Sequence, residues 1–584
     1  MKLIFRCMGE YAGAVWAAIT LKLMSALMEL MLPYILEWII DDVVPTENLT
    51  RVLLWGGLMF VCALLCWLFN ICANYKSITN AHHISYDLRQ ALFQKTICLS
   101  GPQFDALGLP SLISRMTSDS YHVQSAVQQL QGLCIRSPMI LLGGVAMMLM
   151  MDWKLASILL VSLPVLIGVT IFVSYLGIPM YRRVQQRLDT VVRIMRENIT
   201  GIRVVKALSK TEYEKKRFDS ANREMTESDI RASLVMAIPG PFMRLCLNIG
   251  LTLVVLLGSR RVNAGTMEPG VILAFLTYFN MIAMGVMGLN RIFLTISKAS
   301  ASANRINEVL QTPTDQRVLP MGEERTCPED AFIRFDHVTF NYDAEDGEKG
   351  NFAGAKREKA LEDISFSLRR GESLGIIGPT GCGKTTIVNL LMRFYDPESG
   401  TVSVDGRDAR TYRKDELRRK FGVVFQNDMI FQDTLRENVD FGRGLPEQAL
   451  RKALNASQAE EYVDSLAGGM DHMIDIKGAN LSGGQRQRLL VARALAGNPE
   501  ILVLDDSSSA LDYRTDAAMR QAIREQYSDS TTILIAQRVS SVMHMTHILV
   551  MENGRCIGYG SHNVLLETCP AYREIYETQM GSMG

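Results

Sequence analysis

The run Gly378-Pro-Thr-Gly-Cys-Gly-Lys-Thr-Thr386 sets three glycines ahead of a lysine and two threonines, directly after the apolar stretch 373–377 and before an apolar-periodic one, 387–394. Glycines at this spacing let successive backbone N–H groups turn inward around an anion, and the start of a following helix adds a favourable dipole. The predicted chemistry is phosphate binding. Gly378, Thr380, Gly381, Cys382, Gly383 and Thr386 form the cradle, Lys384 reaches the β and γ phosphates of a nucleotide, and the Thr385 hydroxyl ligates Mg2+. A chance glycine-rich turn is the bland alternative, and the strand–loop–helix context argues against it.

Three further stretches bear on the same chemistry. Ile501-Leu-Val-Leu-Asp505 is an apolar strand that delivers a carboxylate at its C-terminal end, where a second Mg2+ contact belongs in this kind of fold. Gly422-Val-Val-Phe-Gln426 is a short apolar strand ending in an amide; Gln426 suits ligating the metal or positioning water, and alone it reads equally as a surface-loop glutamine. Between 480 and 512 a turn made by Ser482, Gly483, Gly484 and Gln485, a basic helix, and a strand ending in Asp505 and Asp506 form one run. Packing alone does not explain that run; reading a nucleotide does.

These groups need a rigid scaffold, and only the second half of the chain reads as one. At 584 residues the chain exceeds what one hydrophobic core serves, roughly 250–300 residues. After residue 310 it turns polar and proline-containing, which predicts a membrane domain over 1–312, a linker over 313–330 and an α/β domain over 331–584. Residues 332–341 alternate as a strand does, and the charged insert 343–358 reads as a solvated loop.

The first half supplies six apolar stretches, 11–40, 52–74, 132–151, 155–180, 234–258 and 270–296, against the about 20 residues a spanning helix needs. The connections after the first, third and fifth are short. Those after the second and fourth are long, helical in period and rich in Arg and Lys, which places them on the cytosolic side of the cytoplasmic membrane. Arg260 and Arg261 in a predicted outer loop run against that rule. Lys22, Glu29, Glu37, Arg244 and Arg291 fall within predicted spans, where an unpaired charge costs about 3 kcal/mol, so they are expected to face one another or a wet cavity. Glu29 would bias such a cavity toward cationic or zwitterionic substrates. The structural alternative pairs Arg244 or Arg291 with Glu29 or with a backbone carbonyl and lets Lys22 and Glu37 reach outward at the interfaces.

Composition sets outer limits. The chain is 48% hydrophobic with mean hydropathy +0.10, an average that hides the contrast between its halves. Lys+Arg and Asp+Glu balance at 61 each, so no global basic field argues for a nucleic acid partner. The 11 cysteines are odd in number and scattered, with Cys62, Cys66, Cys134 and Cys246 inside apolar runs, which predicts reduced thiols. Lys2 and Arg6 precede an apolar run that is too long for a signal peptide and lacks a cleavage pattern, so a retained first helix is expected.

The whole set resembles the ABC transporters, specifically the exporters that fuse six membrane helices to a nucleotide-binding domain. The resemblance covers essentially the full chain. It rests on the phosphate loop 378–385, on Gln426, on the signature Leu481-Ser-Gly-Gly-Gln485, on the strand to Asp505 and on the turn Ser509-Ala-Leu-Asp512. It implies an all-α membrane domain of six long helices plus an α/β P-loop NTPase domain, ATP and Mg2+ as cofactors, and ATP-driven export of a small amphipathic or hydrophobic substrate across the lipid bilayer. By the same resemblance Tyr342 stacks on adenine, and Ser482 to Gln485 address the nucleotide of a second chain. Residues 104–115 look like the first intracellular loop, and 197–206 like the run leading to the second, whose short coupling helix would fall near 208–213.

Two positions depart from the family pattern. After Asp505 the family has Glu, which polarises the attacking water. This chain has Asp506, whose shorter stem draws the carboxylate back by about 1 Å, a displacement that costs on the order of 10²-fold in rate. Gln537 stands where the family has His, keeping a hydrogen-bonding amide without imidazole acid/base chemistry. Asp506, Gln537 and Gln426 are the catalytic candidates, and Thr385, Gln426 and Asp505 the metal ligands. The expectation is a site that binds Mg-ATP and hydrolyses it slowly. An intact signature beside a weakened base suggests a heterodimer, in which a second ABC half-transporter supplies Glu and His opposite Ser482 to Gln485. The alternatives are a homodimeric lipid or drug exporter with two slow sites, and a nucleotide-gated regulator or channel-like protein. Multidrug export is the family-level expectation for substrate, and the 32 methionines suit an adaptable apolar cavity.

Overall fold

The computed structural model describes residues 1–313, 316–320, 331–342, 359–426, 428–506 and 510–581. Residues 314–315 and 321–330 of the expected linker, the insert 343–358, Ser509 of the turn 509–512 and the Arg291 side chain lie outside the described residues. The chain divides into two compact units, residues 1–97 with 110–312 and residues 98–109 with 313–584.

In the first unit, a short helix Lys2–Glu10 precedes α1 (Ala12–Trp38) and α2 (Leu49–Ile97). The short α3 (Gly101–Leu107) follows and belongs to the second unit. The first unit resumes at residue 110, passes through the helix Ser120–Gln131, and continues with α4 (Leu133–Met151), α5 (Trp153–Thr200), α6 (Thr211–Ala237), α7 (Pro239–Asn263) and α8 (Pro269–Gln311). Among the described residues five helical stretches, Ala12–Thr46, Leu49–Ile97, Leu109–Met151, Thr211–Asn263 and Pro269–Val286, are long and apolar enough to cross a membrane. The fourth predicted span lies in α5, a continuous helix of 48 residues. The long second and fourth connections are helical continuations, as their periodicity predicts: α2 runs 49 residues without a break. It stops at Ile97 because the next helix starts with a reciprocal cap, in which the Ser100 hydroxyl accepts the Gln103 N–H and the Gln103 side chain accepts the Ser100 N–H.

Packing of this unit gathers Leu30, Met148, Leu155, Leu159, Phe275, Phe279 and Ile282 into one buried cluster. The buried Tyr278 hydroxyl donates to the Leu30 carbonyl at 2.7 Å, one turn before Pro33. The charges in the spans find partners that sequence spacing does not disclose. Glu29 is held by Arg136, a partner that sequence reading does not name, which makes two bonds to it at 2.7 and 3.1 Å across 107 residues of chain. Lys22 is buried and donates to the Asn70 and Asn74 side chains at 2.7 and 2.9 Å, so it does not reach outward. Arg261, anomalous by the charge rule, pairs with Asp152, whose carboxylate also accepts the Lys154 and Leu155 N–H groups that open α5. Near the second expected coupling helix, the chain breaks at Leu208–Lys210 between the short helix Ile202–Ala207 and α6.

The second unit is built on two sheets. One is four-stranded and antiparallel, in the order β2 (Leu361–Leu368), β1 (Ile333–Phe340), β4 (Ser399–Val404), β5 (Arg407–Asp408). The other has the order β10 (Arg555–Gly560), β9 (His547–Glu552), β3 (Ser373–Ile377), β8 (Thr531–Ile535), β7 (Ile501–Asp505), β6 (Phe421–Val424). Strands β9, β3, β8, β7 and β6 run parallel. Every residue of β7 is buried, as expected for a parallel strand covered on both faces. Its alternation feeds two cores. Ile501 and Val503 face the layer shared with the four-stranded sheet, and Leu502 and Leu504 face the helices, including α10 (Gly483–Leu495).

Candidate nucleotide site

Four parallel strands end on the same edge, and each delivers one part of the site, which is where ligands bind open α/β sheets. β3 runs into the glycine loop ahead of α9 (Lys384–Leu391), β6 leads to Gln426, β7 ends in Asp505 followed by Asp506, and β8 leads to Gln537. Register fixes their neighbourhood: Asp505 pairs with Ile535, two residues before Gln537. The strand ends open on a cleft of about 540 Å³ lined by Tyr342, Thr380, Gly381, Gly383, Lys384, Thr385, Thr386, Gln426, Asp505, Asp506 and Gln537.

The loop adopts the shape its glycines permit. Gly381 and Gly383 have φ of +87° and +97°, and a Cβ at Gly383 would stand 2.5 Å from the Ala360 carbonyl oxygen. Among the described residues no side chain caps the start of α9, so the N–H groups that open it are available to an anion, apart from that of Thr386, which bonds the Gly383 carbonyl at 3.1 Å. The Lys384 ammonium folds back onto the Gly378 and Pro379 carbonyls at 2.8 and 2.7 Å. The Cys382 side chain packs into the core between the sheets, and its Sγ meets the Lys384 ammonium at 3.7 Å.

The donor set beside the loop fits a hard divalent cation. The Thr385 hydroxyl donates to Asp505 at 2.9 Å, and Gln426 faces the same cleft. Burial pushes the Asp505 carboxyl up; the Thr385 bond draws it back and the adjacent Asp506 charge pushes it further up, with a net rise. A buried carboxylate beside a second carboxylate is the electrostatic setting that a cation with oxygen ligands relieves. Burial also raises Asp506, against the pull of Lys384 and Arg538. Asp506 has φ of +49°, a left-handed conformation that Asp adopts more readily than most residues. The Gln537 Nε2 donates to its carboxylate at 3.3 Å.

Tyr342 sits at the other end of the cleft with its ring nearly perpendicular to those of Phe340 and Tyr395, at centroid distances of 4.9 and 5.1 Å. Its hydroxyl donates to Thr386 at 3.2 Å and accepts from Asn389 at 3.1 Å. Asn341, Lys359 and Asn553 line the cleft as well, and neither they nor Asn389 belong to a motif; only the position of Asn341 beside Tyr342 was a sequence clue. A second cavity of about 520 Å³ lies on the far side of Tyr342, and Asp105 of α3 takes the Tyr395 hydroxyl bond there.

Ser482, Gly483, Gly484 and Gln485 do not join the cleft. They open α10 with a reciprocal cap: the Ser482 hydroxyl accepts the Gln485 N–H at 3.2 Å and the Gln485 side chain accepts the Ser482 N–H at 2.9 Å. Asp512 caps the helix Tyr513–Gln526 by accepting the Thr515 N–H at 3.0 Å and its hydroxyl at 2.8 Å.

With this geometry in hand, comparison with known proteins is decisive at the level of family. Residues 15–286 match the family described as ABC transporter transmembrane region, and residues 361–509 match the family described as ABC transporter. The chain is 34% identical to the uncharacterized ABC transporter ATP-binding protein YfiB of Bacillus subtilis, over 97% of this chain and 96% of that protein. It is 30% identical to the ATP-dependent lipid A-core flippase of Photobacterium profundum, over 85% and 83% respectively. In fold it is similar to a bacterial Atm1-family ABC exporter solved with ATP bound, with a TM-score of 0.80, 22% identity, and coverage of 97% of this chain and 98% of that one.

Proposed function

Because this chain belongs to the ABC transporter family as a multi-pass half-transporter with one membrane region and one ATPase domain, we propose that it is one half of a heterodimeric exporter whose own ATP site hydrolyses slowly. The observation that carries the reading is the pair at the strand ends: a short-stemmed Asp506 held by the neutral amide of Gln537 at 3.3 Å. The rest of the phosphate machinery is whole.

The residues divide the work as follows. The loop amides and Lys384, which leaves its carbonyl partners when phosphate arrives, bind the β and γ phosphates of ATP. Thr385, Asp505 and Gln426 hold Mg2+, which supplies charge neutralisation at the phosphate oxygens. Tyr342, pinned through its hydroxyl, offers a ring face to adenine. Asp506 orients the attacking water from a set-back position, and Gln537 hydrogen-bonds near the γ phosphate but takes up no proton at neutral pH. The capped turn Ser482 to Gln485, outside this chain's cleft, presents its backbone to the nucleotide of the partner chain, which supplies the full-length Glu and the His of the fast site.

Arg136 neutralises Glu29, so a cation-selecting carboxylate is not the better reading of the membrane unit. A small amphipathic or hydrophobic substrate fits the apolar helices, and a relative named as a lipid A-core flippase supports an amphipath. The test is uptake into inverted vesicles carrying this chain with and without a second half-transporter that has Glu and His at the matching positions. ATP-dependent accumulation that requires both chains is expected. Full accumulation with this chain alone would favour the homodimer, and ion conductance without accumulation would favour a nucleotide-gated switch.

A further inference from the structure

The sheet stops supporting the backbone just before the residue that faces Asp506. Its last bond there is from the Ala536 N–H to the Ile376 carbonyl, at 3.2 Å. Beyond that point a side chain takes over. Gln579, in the last turn of α11 (Pro570–Met580), donates its Nε2 to the Gln537 carbonyl at 2.9 Å and accepts the Val539 N–H on its Oε1 at 2.7 Å. A carbonyl and an N–H two residues apart are what a strand edge presents, and one carboxamide satisfies both as a neighbouring strand would. The helix that carries this amide is anchored independently, by Tyr572, which is fully buried and meets His562 Nδ1 at 2.8 Å.

We propose that Gln579 is a positioning residue for hydrolysis: it fixes the backbone on both sides of Arg538 so that the Gln537 amide stays on Asp506. The proposal rests on the reading of Asp506 and Gln537 as the pair attending the γ phosphate. It makes the C-terminal helix part of the nucleotide site although no atom of that helix lines the cleft. Only a carboxamide of this length serves both backbone groups. Glu keeps the acceptor for Val539 and loses the donor to Gln537, and Leu loses both.

The test uses full-length chain in nanodiscs and three measurements: single-turnover hydrolysis of labelled ATP with Mg2+, equilibrium binding of Mg-ATP, and hydrogen exchange of the peptide covering 537–542. Gln579→Leu should slow hydrolysis about five- to tenfold, as the loss of a half-buried amide's two bonds implies, with binding changed by less than about twofold. Exchange in 537–542 should speed up. Gln579→Glu should fall between wild type and Gln579→Leu, and in a Gln537→Leu background Gln579→Leu should cost nothing further. Unchanged exchange in Gln579→Leu would overturn the clamp itself. Faster exchange with unchanged hydrolysis, or an equal added loss in the Gln537→Leu background, would overturn the positioning role. If Gln537→Leu alone hydrolyses at the wild-type rate, the parent reading of Gln537 fails, whatever the exchange data show for the clamp.

Discussion

Lengthening the base is the most informative single change. In Asp506→Glu the carboxylate advances by about one carbon–carbon bond along its stem, and restoring a placement error near 1 Å is worth up to about 10²-fold in rate. One feature of the structure reduces that gain and a second weighs on stability instead. The Gln537 bond to Asp506, at 3.3 Å, is displaced, and losing a long, solvent-exposed hydrogen bond of about 1 kcal/mol takes back about fivefold. The φ of +49° at residue 506 is less comfortable for Glu than for Asp, a cost of about 1 kcal/mol that falls on stability and leaves the barrier alone. The net expectation is about a 20-fold rise in turnover with KM for Mg-ATP nearly unchanged, because the glycine loop and Lys384 are untouched. Phosphate release by the purified chain at saturating Mg-ATP measures it, and adding Gln537→His should raise the rate again. A rate that stays flat or falls while Mg-ATP still binds normally would refute the idea that the Asp506 stem limits this site.

Three other outcomes follow from the same contacts. Tyr342→Ala should weaken Mg-ATP binding about tenfold, the worth of one stacked base, whereas Tyr342→Phe, which loses only the bonds to Thr386 and Asn389, should bind nearly as wild type; equal losses in both, by fluorescence titration, would deny the ring its stacking role. Arg136→Gln strands Glu29 and should cost about 1–3 kcal/mol, with recovery when Glu29→Gln is added; melting in detergent reads this, and additive losses would contradict the pairing. Burial pushes the Asp405 carboxyl up, but the Lys420 hydrogen bond and the Lys420 and Arg370 charges outweigh it and leave its pKa depressed. A depressed carboxylate adds stability that is present above its unfolded pKa, near pH 4 or about there, and is lost as pH falls through the lower folded value. Asp405→Asn should therefore flatten the acid limb of the melting temperature, and an unaltered limb would count against that ion cluster.

The nucleotide half of the molecule was largely legible because its chemistry is local. The glycine loop, the strand to Asp505 and the amide at Gln426 each announce themselves within about ten residues, and the parallel register that brings them together follows from the rule that such strands share one functional edge. The capping box at Ser100 and Gln103 was equally readable, as Ser-Gly-Pro-Gln, and would have shown where α2 ends and α3 begins. What stayed hidden depends on distance in sequence. Arg136 reaches Glu29 across 107 residues and belongs to no periodic pattern. Asn389 and Gln579 act through single amides aimed at groups that only the folded chain places within reach. Such contacts are set by tertiary packing, on which hydrophobic periodicity is silent.

The central claim is that this chain's own site is the slow one and that brisk turnover comes from the second site, which a partner completes. The direct measurement is steady-state ATP hydrolysis by the purified chain alone, beside the chain joined to its partner half-transporter, each with and without Asp506→Asn. The account predicts slow turnover for the chain alone, a large rise on pairing, and little further change in the pair when Asp506 becomes Asn. Brisk hydrolysis by the chain alone that collapses in Asp506→Asn would contradict it.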